Sequence, residues 1–483
     1  MPRRTKIVAT LGPATDEPRV LAALVRAGVD VVRINMSHGT AEDHARRVAM
    51  VREASASTGR DVGILADLQG PKIRIDRFRD GSVELADGAE FVLDADLAPD
   101  EGTAEAVGIT YKELPRDVCQ GDVLLLADGQ ITLVVVAVEG NRIRCRVEVG
   151  GTLSNNKGIN RQGGGLSAPS LTDKDYADIR TAARLGVDYL AVSFPREAGD
   201  IEHAREQLRG AGSQAGVIAK IERAEAVDNI DAIIRASEAV MVARGDLAVE
   251  IGDAELPAVQ KLIIHRARDL NRAVITATQM MESMISSPMP TRAEVLDVAN
   301  AVMDGTDAVM LSAETAAGRY PVKVVEAMDR VCRGAERTRM TQRSRHRIDS
   351  HFERVDEAIA MAAMYVANHL DVKAICALTE SGSTALWMSR IRSGIPVYAL
   401  TRHETTRRRV TLYRGVYPTA FDVVHANPNH VLEEAAQKLL DIGAVERGDL
   451  VLFTKGDFTG VAGGTNSLRI LRVGEPDSIV GNL

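Results

Sequence analysis

The chain has 483 residues, and 59 Lys and Arg against 67 Asp and Glu give it a formal net charge of −8. Apolar residues make up 45% of the chain and aromatic residues only 3%, so a large core must consist mainly of Val, Ile, Leu, Ala and Met. An acidic balance argues against a nucleic-acid-binding protein, which is usually basic. The length is typical of about three domains.

The sequence contains no apolar run long enough to span a membrane, and its first residues lack the apolar core of a signal peptide. Its four cysteines are far apart and include no CxxC pair, which is typical of reduced thiols rather than of disulfides or a zinc site; they are Cys119, Cys145, Cys332 and Cys376. We therefore expect a cytoplasmic protein that binds neither membranes nor nucleic acids.

The first 70 residues alternate strands and helices. Strands are predicted at 6–11, 30–36 and 61–68, and helices at 17–27 and 40–57, the second of which begins at Thr40 as an N-cap. This alternation favours parallel strands joined by helical crossovers.

From about residue 70 to about residue 166 the pattern changes to short strands separated by turn dipeptides. These dipeptides are Asp80-Gly81, Asp87-Gly88, Asp128-Gly129 and Gly140-Asn141. Period-two strands with such turns indicate a small all-β domain. Because it interrupts the α/β series, we interpret it as an insertion, with 156–165 as its return hinge.

The α/β alternation then resumes, with strands predicted at 187–193, 216–221, 239–243, 273–278 and 308–311. Eight parallel strands with crossover helices favour a TIM barrel, although an open doubly wound sheet has the same periodicity. Residues 337–354 have the composition of a linker. A further α/β unit follows it, with helices at 355–370 and 431–442 and strands at 373–379, 397–401, 450–454 and 468–473.

Polar residues follow the predicted barrel strands at their carboxyl ends, where the active sites of such barrels lie. Any one of them alone is typical of a surface pair, a turn or a helix cap, but a closed barrel brings all of them to one rim. They are Arg33 to His38, Asp67 to Arg74, Ser193 and Phe194, Lys220 to Glu222, Arg244 to Asp246, Thr278 and Gln279, and Ser312 to Thr315.

Glu222 and Asp246 offer hard oxygen ligands on neighbouring strands, and Mg²⁺ typically takes one or two carboxylates together with water and substrate oxygens. Lys220, Arg33 and Arg74 add positive charge beside them. This combination suits phosphoryl transfer, in which catalysis is mostly positioning and charge stabilisation. The sequence contains neither a Walker-type GxxxxGK[ST] loop nor the glycine-rich loop of protein kinases.

A series of motifs then points to one family. They are 6–13 (KIVATLGP), 33–39 (RINMSHG), 66–74 (ADLQGPKIR), 219–222 (AKIE), 241–246 (MVARGD), 277–284 (ATQMMESM), 290–294 (PTRAE), 297–301 (DVANA) and 310–315 (MLSAET). In these stretches, and over essentially its whole length, the chain resembles the pyruvate kinases.

The resemblance implies an α/β protein with a TIM (β/α)₈ barrel at 1–70 and 167–340, an inserted β-barrel lid at 71–166 and a C-terminal α/β effector-binding domain at 341–483. It also implies a homotetramer that transfers a phosphoryl group from phosphoenolpyruvate to ADP, giving pyruvate and ATP in the last step of glycolysis. The implied cofactor is Mg²⁺, for which Mn²⁺ could substitute.

The resemblance implies a role for each site residue. By resemblance, Glu222 and Asp246 hold the metal, Lys220 lies against the transferring phosphoryl group and Arg33 contacts the phosphate. The Ala243-Arg244-Gly245-Asp246 turn presents backbone N–H groups to the substrate carboxylate. Thr278 occupies the position of a proton-relay hydroxyl, which needs water or neighbouring groups because a free threonine is a very weak acid. The nucleotide-side positions are Pro13, Asn35, His38, Arg74 and Lys157.

One departure concerns K⁺. Many members of the family read Asp-Thr-Lys-Gly-Pro-Glu after the third strand and need K⁺, whereas this chain reads Asp67-Leu68-Gln69-Gly70-Pro71-Lys72. The ammonium of Lys72 would replace the ion's charge near Asn35, Ser37 and Asp67, although these side-chain K⁺ ligands are retained. We therefore expect an enzyme that does not require K⁺; the alternative is that Lys72 is a solvated loop lysine.

In the C-terminal domain, Thr379, Ser381, Gly382, Ser383 and Thr384 follow a strand and open a helix. Hydroxyl and N–H groups at a helix N-terminus can bind phosphate, and the resemblance implies an effector pocket for AMP or a sugar phosphate. The alternative is an N-cap turn without a ligand. The sequence of this stretch is more similar to that of bacterial isozymes activated by AMP or pentose phosphates than to that of isozymes activated by fructose 1,6-bisphosphate.

Two other functions remain open from the residues alone. A metal-dependent lyase or aldolase acting on pyruvate enolates would share Glu222 and Asp246 but would not need the insert. A phosphometabolite sensor derived from an inactive kinase would bind effector without turnover, and the intact Lys220 and Thr278 argue against it.

Overall fold

The computed structural model describes residues 2–342, 351–426, 430–457 and 463–475. Eight of its strands are parallel and come from the barrel segments: β1 (Lys6–Thr10), β2 (Val31–Asn35), β3 (Gly63–Asp67), β12 (Tyr189–Val192), β13 (Gly216–Ile221), β14 (Ala239–Ala243), β15 (Ala273–Ala277) and β16 (Ala308–Leu311). They close in the order β1-β16-β15-β14-β13-β12-β3-β2. The TIM barrel is thereby confirmed, and the open doubly wound sheet is excluded.

Helices surround this barrel. They are α1 (Pro18–Ala27), α2 (Ala41–Thr58), α4 (Asp173–Leu185), α5 (Ala198–Gly210), α6 (Ala224–Asp228), α7 (Ile230–Ala236), α8 (Arg244–Ile251), α9 (Leu256–Asp269), α10 (Arg292–Asp304), α11 (Ala313–Ala316) and α12 (Pro321–Ala335), with 3₁₀ turns at Pro13–Thr15 and Glu282–Ile285. Three of them begin with a capping box, in which Thr40, Thr172 or Thr291 accepts the N–H three residues on. Such caps fix where each helix begins after a rim loop.

The insert between β3 and β12 consists of β4 (Ser82–Leu85), β5 (Glu90–Asp94), β6 (Ala106–Gly108), β7 (Val123–Leu126), β8 (Ile131–Glu139), β9 (Arg142–Val149), β10 (Gly151–Ser154), β11 (Ile159–Arg161) and the short helix α3 (Leu114–Asp117). One sheet has the order β11-β7-β8-β9-β5-β6, and β10 pairs with β4. The sheets share a separate apolar core that includes Phe91, Leu133 and Val147. The strand β11 lies within the stretch that we interpreted as the return hinge.

The C-terminal unit has a five-stranded sheet in the order β19-β18-β17-β20-β21. Its elements are α14 (Val355–His369), β17 (Val372–Leu378), α15 (Ser383–Arg390), β18 (Val397–Thr401), α16 (Glu404–Val410), β19 (Val416–Ala420), α17 (Val431–Asp441), β20 (Leu450–Gly456) and β21 (Thr465–Arg472). Of these, α16 and β19 were missed by the periodicity. The predicted linker begins with a short helix, α13 (Arg339–Gln342), and its residues 343–350 lie outside the described part of the chain.

The C-terminal unit packs against the amino-terminal end of the barrel, opposite the rim that carries the polar residues. One apolar cluster continues from Val8 and Leu65 in the barrel to Leu412 and Val416 in the C-terminal unit. The buried ion pair between Arg390 and Asp307 crosses the same junction. In the residues that the structure describes, no helix combines the length and the apolar character needed to cross a bilayer.

Candidate active site

The carboxyl ends of β2, β3, β13 and β14 place the predicted charged residues on one rim. The register pairs Asn35 with Asp67 and Lys220 with Met241, so these side chains leave the barrel at similar heights. Because neighbouring parallel strands end at the same edge, residues distant in the chain become neighbours here.

Lys220 is the centre of this cluster. Its Nζ lies 2.9 Å from Glu222 Oε1 and 3.3 Å from Asp67 Oδ1, and it donates to Ser193 Oγ at 2.7 Å. Arg33 Nε donates to the second oxygen of Asp67 at 2.6 Å. Two carboxylates and a hydroxyl therefore fix one ammonium at the mouth of the barrel.

Burial and charge act against each other on these groups. Burial opposes ionisation of Asp67, but the charges of Lys220 and Arg33 outweigh it and lower the pKa of this carboxyl. Burial also disfavours the ammonium of Lys220, yet Asp67 and Glu222 raise its pKa. For Glu222, burial together with the nearby charge of Asp246 raises the pKa in spite of Lys220. The rim thus holds a charged lysine between carboxylates that a further cation would stabilise.

Asp246, the second expected metal ligand, pairs with Lys72 at 2.8 Å. In the described residues no group of three His, Cys, Asp or Glu side chains could hold a metal ion. Two carboxylates nevertheless fit Mg²⁺, which typically completes its octahedron with water and substrate oxygens. Since each carboxylate now faces an ammonium, Lys220 or Lys72, the donor set is one that attracts positive charge.

Lys72 pairs with a residue that was not predicted as its partner. We expected its ammonium near Asn35, Ser37 and Asp67, and the ion pair that it makes is with Asp246. The Asn35 side chain accepts the N–H of Ser37 at 3.1 Å. Lys72 lies at the base of the insert, where a Cβ on Gly158 would lie 3.2 Å from Lys72 Cε.

The stretch from Ala243 to Asp246 is not a loose turn, since α8 begins at Arg244. The N–H of Gly245 donates to Thr278 Oγ1 at 3.0 Å, and Thr278 Oγ1 donates to Ala277 O at 2.7 Å. The geometry therefore brings Thr278 to the start of α8.

The side chain of Arg244 points away from this N–H group. It pairs with Asp297 Oδ1 at 2.7 Å and donates to Ala277 O at 3.1 Å. Thr278 and Gln279 have φ values of 66° and 53°, in the left-handed region that is unfavourable for such residues. Arg244 thus supports a strained loop, and only the backbone of this residue faces the rim.

The positions predicted to face the nucleotide are less closely grouped. Pro13 and His38 are exposed, and so is Lys157. Arg74 Nη1 donates to Asn156 O at 2.9 Å, and Arg74 pairs with Gly158 in an antiparallel bridge. The two strands that leave and re-enter the insert therefore lie side by side, with Arg74 and Lys157 at its base.

A cleft separates the insert from the barrel. Asp128, Gly129 and Gln162 line it on the insert side, and Gly245 and Gln279 on the barrel side; its open volume, mouth included, is about 1100 Å³. Because Asp246, an expected metal ligand, also lines it, a substrate in this cleft would touch both domains.

Three residues without a predicted role hold other residues of the site in position. Ser193 holds Lys220 and donates to Leu68 O at 2.8 Å, and the N–H of Phe194 donates to Glu222 Oε2 at 2.9 Å. Asp175 accepts the N–H of Gly70, the first residue of the outgoing hinge, at 3.0 Å. The polar residue at the end of β12 was a visible signal for Ser193, whereas Asp175 looks like an ordinary helix cap.

The predicted effector residues form one loop before α15. Gly382, with φ of 85°, donates its N–H to Thr379 Oγ1 at 2.9 Å, and the hydroxyls of Ser381 and Ser383 are 2.9 Å apart. Thr384 is buried and hydrogen-bonds Thr465 at 2.9 Å. Two half-buried serines at a helix start therefore remain available to a ligand, while Thr384 is engaged in packing β21 against the helix.

Comparison with known proteins identifies the family. The family model "Pyruvate kinase, barrel domain" matches residues 2–325, and "Pyruvate kinase, alpha/beta domain" matches residues 357–471. The chain is 59% identical to pyruvate kinase II of Salmonella typhimurium over 98% of this chain and 99% of that protein. It is 56% identical to a Haemophilus influenzae pyruvate kinase over 94% and 96%, and 42% identical to one from Mycobacterium tuberculosis over 99% and 100%.

Proposed function

Because this chain belongs to the pyruvate kinase family and is itself a pyruvate kinase, we propose that its rim transfers the phosphoryl group of phosphoenolpyruvate to ADP with Mg²⁺ held by Glu222 and Asp246. The observation that carries this proposal is the position of Lys220, whose ammonium is fixed between Asp67, Glu222 and Ser193. A fixed cation stabilises charge as it develops, without the cost of reorganising solvent.

The metal, when bound, would screen the negative charge of the phosphoryl oxygens; Mn²⁺ has the same ligand preference and could substitute. Lys220 then offsets charge on the transferring group, and Arg33 orients the phosphate. Asp67 holds both cations in place, because its two oxygens face Lys220 and Arg33.

The substrate carboxylate binds at the start of α8. There the N–H of Gly245 is occupied by Thr278 Oγ1, and substrate would take over that donor. The freed hydroxyl of Thr278 can relay a proton to the enolate carbon through water, because its other partner is only the Ala277 carbonyl.

ADP binds on the insert side of the rim, near Pro13, Asn35, His38, Arg74 and Lys157. The cleft between the insert and the barrel supports closure, since Arg74 and Lys157 lie where the insert pivots. We assign residues 71–166 to this closing domain, residues 1–70 and 167–340 to the barrel, and residues 341–483 to the effector-binding domain. Closure would expel water from the phosphoryl group.

The reaction needs no K⁺ in this proposal, because the ammonium of Lys72 already supplies a monovalent positive charge beside the metal site. Its observed partner is Asp246, the second proposed metal ligand. The substitution for K⁺ therefore acts through the positive charge that Lys72 adds to the site.

Regulation and assembly follow the family. A phosphorylated metabolite, AMP or a sugar phosphate, would bind Ser381, Gly382 and Ser383 ahead of α15 and activate the enzyme. Thr379 and Thr384 would shape that loop, since both hydroxyls hold its backbone or its neighbour β21. The enzyme would act as a homotetramer in the cytoplasm.

The test is steady-state formation of pyruvate from phosphoenolpyruvate and ADP, with Mg²⁺ and with a chelator. We expect turnover only with the divalent ion, and a loss of about 10²-fold or more in Glu222→Gln, which removes one ligand charge. Glu225→Gln is a matched control, since Glu225 is near in sequence but contacts the return hinge at Gly165. Equal activity of Glu222→Gln and wild type would refute the metal assignment.

A further inference from the structure

The junction between the barrel and the C-terminal domain contains a concentration of arginines. Four of these side chains are buried, each with 7% exposure or less, and a fifth is half-buried; they are Arg4, Arg268, Arg390, Arg414 and, half-buried, Arg392. The first two belong to the barrel side and the others to the C-terminal domain. Buried guanidinium groups are costly unless carboxylates compensate them.

The carboxylates that face the cluster are fewer and are already engaged. Asp307 binds Arg390 and accepts the backbone N–H groups of Val274 and Arg414. Glu336 lies 3.7 Å from Arg4 Nε and accepts two backbone N–H groups. In the described part of the chain, the four buried guanidinium groups therefore outnumber these two buried carboxylates.

A third acid does not close this deficit. Asp304 is only half-buried, and Lys261 binds one of its oxygens at 2.5 Å. Its backbone carbonyl, not its carboxylate, accepts Arg392 Nη2. Among the described residues, the four buried guanidinium groups thus face two buried carboxylates and a third, half-buried one that already binds a lysine.

Arg414 shows the deficit most directly. Its backbone N–H binds Asp307, but in the described part of the chain its guanidinium makes no hydrogen bond or ion pair, and Nε and Nη2 are buried without a partner. Burial, and next to it the charge of Arg4, lowers the pKa of Arg414 to about 10. A buried cation without a protein partner is an arrangement that a bound anion would stabilise.

A narrow cleft leads to this side chain. Arg4, Arg392 and Arg414 line it together with Ser389 and Ser393, and its open volume, mouth included, is about 300 Å³. Ser389 Oγ and Ser393 Oγ already donate, to Leu386 O at 2.6 Å and to Asn368 Oδ1 at 2.8 Å, so the donors left for an anion are Nε and Nη2 of Arg414. A guanidinium is a donor that phosphate and sulfate prefer. The same space is too narrow for a nucleotide to enter as a whole.

We propose that this cleft binds one tetrahedral oxyanion on Arg414: free phosphate or sulfate, or the phosphoryl group of a small phosphate monoester. The site is separate from the serines ahead of α15. Those serines lie at the start of this eight-residue helix and Ser389 near its end, so the two sites are roughly 10 Å apart.

A bound oxyanion would join the two domains. Its ligand is Arg414 of the C-terminal domain, whose backbone already touches Asp307 of the barrel. The anion would also lie in the field of Arg4, whose guanidinium donates to Thr341 O at 3.0 Å and to Glu336 O at 2.6 Å. The anion therefore acts as a clamp between domains and stabilises their present arrangement.

The test is thermal unfolding of the full-length protein with phosphate or sulfate, compared with KCl at equal ionic strength. Because phosphate could also bind at the rim and at the effector loop, the background carries Lys220→Met, Ser381→Ala and Ser383→Ala. We expect the background to keep an increase in Tm with phosphate, and Arg414→Met added to it to raise the apparent Kd for phosphate at least tenfold. Without the anion, Arg414→Met should be no less stable than the background, since it removes an unpaired charge.

Arg408→Met is the matched control. Arg408 lies at the same junction, but its charge is paired with Asp188 at 2.8 Å, so this variant should lose stability and keep the response to phosphate. Glycerol 3-phosphate distinguishes the sources: an equal increase in Tm assigns the site to phosphate monoesters, and no increase assigns it to the free ion.

The proposal is wrong if the background shows no increase, or if Arg414→Met leaves the increase unchanged. Should Arg414→Met not fold, Arg414→Lys keeps the charge but loses the guanidinium and should still weaken the response. Equilibrium dialysis of the background with labelled sulfate then counts the ions directly. One sulfate per chain supports the site, and none overturns it.

Discussion

The ion pair between Lys72 and Asp246 leads to a prediction about monovalent ions. Its atoms lie 2.8 Å apart, and the side chains are 23% and 20% exposed. A hydrogen bond between charged groups contributes roughly 1.5–3 kcal/mol, and each 1.4 kcal/mol is a factor of ten in rate. We expect the ammonium of Lys72 to make an interaction of this kind with the transferring phosphoryl group in the transition state. Since water reaches Lys72, we take the lower part of that range and expect about a tenfold loss in kcat/KM for Lys72→Met.

Lys72→Glu should lose more, because it also places a carboxylate against Asp246. This repulsion is one that K⁺ can relieve, so KCl should restore much of the activity of Lys72→Glu but little of that of Lys72→Met, which offers K⁺ no ligand. The assay is pyruvate formation at saturating Mg²⁺, with KCl against tetramethylammonium chloride. A strong stimulation of the wild type by KCl would refute the reasoning, and so would full activity of Lys72→Glu without K⁺.

Two further predictions concern stability. The side chains of Arg390 and Asp307 are each 1% exposed, so Arg390→Met leaves a buried carboxylate without its partner and should lower the free energy of unfolding, measured in urea, by about 3–5 kcal/mol. Arg116→Met, in an exposed pair, should change it by less than about 1 kcal/mol. Equal small losses in the two variants would contradict this prediction. Burial raises the pKa of Glu250 to about 7 from its ordinary 4.5, so ionisation of this carboxyl destabilises the folded protein increasingly as the pH rises between these values. Between pH 4.5 and pH 7 the free energy of unfolding of Glu250→Gln should therefore rise by on the order of 3 kcal/mol relative to that of the wild type. A pH-independent difference in urea would show that Glu250 does not titrate there.

Much of the barrel could be predicted because the pattern of apolar residues within each segment determines whether it forms a strand or a helix. Strand and helix periods place β13 and β14 correctly, and the polar residues after them identify the rim. Lys220, Glu222 and Asp246 therefore follow from the order of elements once the barrel closes.

Contacts between separate segments could not be predicted in the same way. Lys72 and Asp246 are 174 residues apart and meet only because the insert leaves the barrel at a particular angle. The pairing of Arg390 with Asp307 depends on how the C-terminal sheet docks under the barrel. Ser193 shows an intermediate case, since its position at a strand end was visible but its bond to Lys220 depends on the twist between β12 and β13.

The measurement that most directly tests phosphoryl transfer at this rim is kcat for pyruvate formation by Lys220→Met, with Lys220→Arg beside it and circular dichroism to verify folding. Removing one fixed charge-stabilising group typically costs about 10²–10³-fold. We predict a loss of at least that size, with the KM for phosphoenolpyruvate changed only a few-fold because Arg33 and the N–H of Gly245 remain. A correctly folded Lys220→Met that turns over at the wild-type rate would contradict the account.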